Sequence, residues 1–128
     1  MNQRILINLP ISDLEVPHLR ESVGWGRRDD DYPVLFERCN FWGGARDANQ
    51  QLIAFGYVCG TGLEHRYMED IIVHPAYQHS GIGAALVTEL LKEAERFGLQ
   101  IVTVSYSAQH EAFYDAVDLP PVQADYGE

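Results

Sequence analysis

The stretch from Tyr67 to Phe97 constrains the fold more than any other part of the chain. Tyr67 to His74 is rich in apolar and β-branched residues and predicts a strand, which Pro75 stops. An amphipathic pattern follows. Leu86, Leu90, Ala94 and Phe97 fall at i, i+4, i+8 and i+11, with Val87 and Leu91 beside them. Glu89, Lys92, Glu93, Glu95 and Arg96 lie outside that stripe, and Gly98 stands in the C′ position, so the spacing predicts a helix over 83–97. A strand, a short glycine-bearing loop and a helix in direct succession commit the chain to a layered α/β arrangement.

The remaining elements fit around that unit. Arg4 to Leu9 predicts a first strand ended by Pro10. Ser12 with Glu15 three residues on is a capping-box pattern that opens a helix at about Asp13, with Leu14, His18, Leu19 and Val23 on one face and Pro17 as a weakening kink. Tyr32 to Cys39 reads as a second short helix. Phe41 to Asp47 and Leu52 to Cys59 read as strands joined by a hairpin turn at Ala48 to Gln51. Ile101 to Tyr106 predicts another strand, and Glu111 to Val117 a short helix stopped by Pro120 and Pro121. The expected fold class is an α/β sandwich.

At 128 residues and 46% hydrophobic content, the chain suits one domain over 1–128 and is too apolar to stay disordered. No run approaches the roughly 20 apolar residues of a spanning helix, and the N-terminus lacks a secretory pattern, so a cytoplasmic location away from membranes is expected. The formal charge of −10 argues against a nucleic-acid partner. Lys92 is the only lysine. Cys39 and Cys59 make no disulfide framework and read as small packed side chains. His74, His79 and His110 lack a ligand spacing, so no metal is expected.

The chemistry concentrates between strand and helix, in Val73-His74-Pro75-Ala76-Tyr77-Gln78-His79-Ser80-Gly81-Ile82-Gly83. A helix N-terminus offers unpaired N–H groups and the positive end of the backbone dipole, and glycines let an anion approach the main chain. Such a site holds phosphate without lysines, which suits an acidic protein. No Lys-Ser/Thr pair follows Gly83, which excludes a Walker loop, and Gly81 and Gly83 alone do not make a dinucleotide fingerprint. A plain turn before a helix is the other reading of these two glycines.

Val73-x-Pro75-x-Tyr77-Gln78-x-x-Gly81-Ile82-Gly83, then a helix and a later Phe113-Tyr114, resembles the GNAT superfamily of acyl-CoA-dependent N-acyltransferases. The likeness is strongest from Met68 to Tyr114 and extends more loosely over nearly the whole chain. It implies a mixed, largely antiparallel sheet with helices on both faces, and acetyl-CoA as cosubstrate. It further implies that the main chain of Ile71, Ile72 and Val73 pairs with the pantetheine arm. The amides of Gln78, His79, Ser80, Gly81, Ile82, Gly83 and Ala84 would hold the pyrophosphate.

Transfer from a thioester to an amine needs a neutral amine, a donor for the oxyanion and a proton for the departing thiolate. Met68-Glu69-Asp70 resembles the Leu-Glu-Asp triplet of polyamine acetyltransferases, which implies Glu69 or Asp70 as the base, Glu69 first. Strand alternation would send these two acids to opposite faces. The resemblance implies the Val73 amide at the oxyanion and Tyr114 as the acid beside the sulfur. In the loop after the first helix, Trp25, Asp29 and Tyr32 are candidates to receive a cationic amine. The expected reaction is acetylation of a small primary amine in a ternary complex. The alternatives are a non-catalytic acyl-CoA-binding module or a transferase of longer acyl chains. Asp115 and Ala116 replace the family's Gly-Phe pair and few residues follow, so a shortened C-terminal hairpin is expected, with a homodimer completing the acceptor wall.

Overall fold

Apolar residues on both sides of the central strands require a layer of helix over each face of the sheet. A computed structural model, which describes residues 4–60, 65–98, 101–106 and 123–126, shows that arrangement. The chain runs β1 (Leu6–Ile7), α1 (Glu15–Ser22), α2 (Asp31–Arg38), β2 (Phe41–Arg46), β3 (Leu52–Gly60), β4 (His65–Val73), α3 (Ile82–Arg96), β5 (Ile101–Tyr106) and β6 (Gln123–Tyr126). The strands form one sheet in sequence order. β1 through β4 pair antiparallel, whereas β4–β5 and β5–β6 are parallel. The sheet is therefore mixed and largely antiparallel, as the resemblance implied.

Two apolar layers flank it. On one face Leu86, Val87, Leu90 and Ala94 of α3 pack on Phe41, Ala45, Ile53, Val58, Met68, Ile71 and Val73. On the other, Val16 and Leu19 of α1 and Tyr32 of α2 close over Leu52, Phe55 and Ile72. Phe97, expected on the buried stripe of α3, is exposed, although its ring stacks on Phe41 at 5.8 Å.

The first helix differs from its sequence expectation. It starts at Glu15 rather than Asp13, which puts Pro17 in the first turn, where a missing N–H costs nothing. The Glu15 carboxylate accepts from the Ser12 N–H at 2.8 Å and from Ser12 Oγ at 3.1 Å, half of the expected reciprocal box. Leu14 and His18 are exposed, and the buried face is Val16, Pro17, Leu19 and Arg20. Leu19 and Val23 of the expected face do pack into the core on this side, whereas Leu14 precedes the helix and His18 turns to solvent. At the other end of the chain, the structure adds β6, a parallel strand that cannot form a hairpin with β5. The helix expected over 111–117 lies outside the described residues.

Candidate active site

The site grows from β4. Its register against β3 runs Tyr57–Glu69 and then Phe55–Ile72, so Asp70 and Ile71 together oppose Gly56 in a β-bulge. Asp70 takes the left-handed conformation, φ 52°, that this extra residue demands. Alternation is interrupted there. Met68 and Ile71 both enter the α3-side core, and Glu69 and Asp70 between them both turn to the α1/α2 face. Strand periodicity predicted opposite faces for the two acids, and the bulge corrects that expectation.

The two carboxylates have different surroundings. Asp70 Oδ2 accepts from Tyr32 Oη at 2.5 Å and from Arg20 Nη1 at 3.0 Å. Arg20 is 6% exposed and the only buried charged residue among those described. Burial, with the Asp70 charge next, drives the Tyr32 phenol far above its ordinary pKa, so it stays a neutral donor. Glu69 is half-buried, and Cys59 Sγ donates to its Oε2 at 3.4 Å. No ion pair holds Glu69 among the described residues. Burial, followed by the Glu69 charge, pushes the Cys59 thiol up to about 12. Burial alone raises Cys39 to about 11. The Tyr57 phenol opposite Glu69 is driven up by burial first, then by Asp70 and Glu69.

β4 carries the second half of the site at its C-terminal end. His74 N–H donates to the Ile53 carbonyl at 2.8 Å, and Ile72 pairs with Phe55. The N–H and C=O of Val73 therefore face away from β3. The register with β5 ends at Met68–Val104, so Ile71, Ile72 and Val73 extend past the last pair between those strands. The Val73 carbonyl accepts from Gln78 Nε2 at 3.0 Å, which ties the loop back to the strand. One turn of 3-10 helix, Pro75–Tyr77, follows, and Tyr77 Oη donates to Asp47 at 3.3 Å while Ser80 Oγ donates to the Tyr77 carbonyl.

The loop ends at Gly81, whose φ of 91° makes it a left-handed N-cap of α3 with open space where a Cβ would stand. His79 is also left-handed, φ 64°, and exposed. The first bond into the helix is Ala85 N–H to the Gly81 carbonyl at 3.0 Å, so the N–H groups of Ile82, Gly83 and Ala84 precede the helical ladder. An open cradle of forward-pointing amides on a 15-residue helix suits a diphosphate, and the Val73 edge suits an amide-bearing arm. The residues present thus fit an acyl-CoA.

Among the acceptor candidates, Tyr32 is buried and committed to Asp70. Trp25 is half-buried, and the Arg20 guanidinium stands over its ring at 5.1 Å, so that cation–π position is occupied from within. Asp29 is exposed and paired with Arg27 at 3.0 Å. The structure brings Trp25 and Tyr32 together around Arg20, and Asp29 stands apart in its own ion pair. Arg20 and the bulge were missed in the sequence. An arginine on a short helix has no signature, and its partner lies 50 positions away. Tyr114 and His110 lie outside the described residues.

The sequence profile of the acetyltransferase (GNAT) family matches residues 10–116. The chain belongs to that family. Acetyl-CoA is its cosubstrate and acyl transfer its chemistry. Solved structures agree in fold. The GNAT family N-acetyltransferase YhbS of Escherichia coli, determined in complex with CoA, is 22% identical with a TM-score of 0.72, over 90% of this chain and 67% of that one. The ribosomal-protein-S18-alanine N-acetyltransferase of Escherichia coli is 22% identical with a TM-score of 0.72, over 90% and 75%. Glucosamine-6-phosphate N-acetyltransferase of Arabidopsis thaliana is 17% identical with a TM-score of 0.68, over 98% and 97%. No curated protein matches in sequence. The two named acceptors, a protein alanine and an amino sugar, show that this fold does not itself choose the acceptor. Among the described residues, no helix is long and apolar enough to cross a membrane.

Proposed function

We propose that this GNAT protein acetylates the primary amine of a small molecule by direct transfer in a ternary complex. The observation that carries the reading is the bulge at Asp70. It turns two acids to one face, with Asp70 neutralised by Arg20 and Glu69 left outside any described ion pair. A free amine with pKa near about 10 is mostly an ammonium at neutral pH, so it is drawn to an uncompensated carboxylate and must lose a proton there. Glu69 serves as that base, directly or through one water. Because Glu69 is half-buried, the group that reaches it is slender, which favours the amine of a small molecule.

The acetyl group arrives as a thioester of CoA. Ile71, Ile72 and Val73 align its arm along the β4 edge, and the amides of Gln78 through Ala84 hold the diphosphate. The Val73 N–H, facing away from β3, stabilises the oxyanion, and Tyr114 returns a proton to the thiolate. This division of roles is supported by the family's chemistry and by the shared strand, which joins the two half-sites through a few residues of rigid backbone.

An amine panel read by mass spectrometry tests it: polyamines, arylalkylamines, amino sugars, amino acids and a peptide N-terminus. Acetylation of at least one small amine is expected. Glu69→Gln should lower kcat about 10²-fold, the scale of a lost general base, with the KM for acetyl-CoA unchanged within about twofold. CoA binding without product for any amine would favour the non-catalytic module. Peptide-only activity would overturn the small-molecule acceptor.

A further inference from the structure

The buried charge on α1 is not accounted for by packing. Arg20 sits in an otherwise apolar face beside Val16 and Leu19. A buried guanidinium is costly unless several groups share it. Here Nε donates to the Gly26 carbonyl at 2.5 Å, Nη1 donates to Tyr32 Oη at 3.2 Å and to Asp70 Oδ2 at 3.0 Å, and the cation lies over the Trp25 ring. Gly26 and Trp25 belong to the loop between α1 and α2, whereas Asp70 belongs to the catalytic strand. One side chain therefore bridges the acceptor-side loop and the bulge.

We infer that Arg20 is a positioning residue of the transfer site, fixing the Trp25–Gly26 loop and Asp70 in one geometry so that Glu69 alone is left to meet the acceptor. The inference rests on the proposed amine acetylation for its kinetic consequences, though not for its structural ones. Among the described residues, the titratable and charged groups around Asp70 are Arg20 from α1, Tyr32 from α2, Tyr57 and Cys59 from β3 and Glu69 on its own strand. Arg20 is the only cation in that group. Its side-chain hydrogen bonds go to Gly26, Tyr32 and Asp70 and to none of Ile71–Val73 or the α3 cradle, so its loss acts on the acceptor side.

A planar fork can reach Gly26 and Asp70 at once, and an ammonium cannot. Arg20→Lys keeps the charge and loses the bridge; Arg20→Met loses both. In both variants the KM for the amine should rise about tenfold or more, while the KM for acetyl-CoA moves less than twofold. Arg20→Lys should retain more kcat than Arg20→Met, because Asp70 keeps a counter-ion. A merely structural arginine would change the amount of folded enzyme and leave both KM values where they were.

A second readout needs no turnover. The chain has two tryptophans, so indole N–H NMR signals are two, assigned with Trp25→Phe. The Trp25 signal should shift or broaden in Arg20→Met and Arg20→Lys, and the Trp42 signal should stay. An unmoved Trp25 signal, or equal rises in both KM values, would overturn the positioning role. A shifted Trp25 signal in a chain that acetylates no amine would uphold the bridge and remove the reaction it was assigned to serve.

Discussion

Replacing Gly81 by alanine separates the backbone of the anion cradle from its function. Gly81 caps α3 at φ 91°, ψ −3°, and an added Cβ meets no heavy atom within 4 Å. Packing therefore contributes nothing to the cost. What remains is the left-handed conformation, about 1–2 kcal/mol for an L-residue. For a chain of 128 residues that corresponds to a fall in Tm of roughly 3–10 °C. The same methyl group stands at the mouth of the amides of Ile82, Gly83 and Ala84, where the proposed diphosphate would approach. Gly81→Ala should thus bind CoA at least about tenfold more weakly, equivalent to about 1.4 kcal/mol. Calorimetric titration of CoA into folded variant and parent, well below the lower Tm, measures this directly. Unchanged CoA affinity in the folded variant would refute the cradle as the diphosphate site. A Tm fall much beyond that range would refute the claim that the cap is sterically open.

Two further outcomes test the packing and electrostatics that hold the site. Gly56→Ala would bring a methyl within 2.4 Å of Ile71 Cδ1 opposite the bulge and 3.3 Å from Leu90 Cδ1, so urea unfolding should show a loss of about 1–3 kcal/mol. Ile71→Val removes the clashing atom, and the double variant should recover part of that loss; strict additivity would sink the explanation. Glu15 is held at about 2 by Arg46, whose Nη2 donates to it at 2.9 Å, against 4.5 unfolded. A lowered folded pKa stabilises above the unfolded value and fades as pH falls through the folded one, so this contribution is full above about pH 5 and declines from 4.5 towards 2. Because Glu15 keeps a quarter of its surface in water, screening limits it to about 1–2 kcal/mol. The stability gap between parent and Glu15→Gln should narrow between pH 6 and pH 3; a constant gap would count against the bridge.

Much of the fold was legible because periodic burial writes itself into sequence. Leu86, Leu90 and Ala94 marked α3, and the aromatic and β-branched run from Leu52 marked β3. The start of α3 was legible too, since Gly81 takes the left-handed backbone that a glycine placed before a helix suggests. Features decided by tertiary contact were not. Asp70 looked like any strand residue, and only Gly56 across the ladder makes room for the bulge that turns it beside Glu69. Arg20 looked like a surface charge, because its partners come from a later loop, a second helix and a distant strand. β6 carries only Gln-Ala-Asp-Tyr, a four-residue run in which Tyr126 alone favours a strand, too short a pattern to be recognised.

The two raised thiols have a practical corollary. With ordinary cysteine near about 8.5 and these two near 11 and 12, their thiolates are scarce at pH 7.5. Aromatic disulfide dyes react with thiolates, so over the minutes of a colorimetric run they would stain the liberated coenzyme in preference to the enzyme. The chain carries its own low background for continuous monitoring, and prompt labelling of two equivalents per native molecule would expose that claim as false.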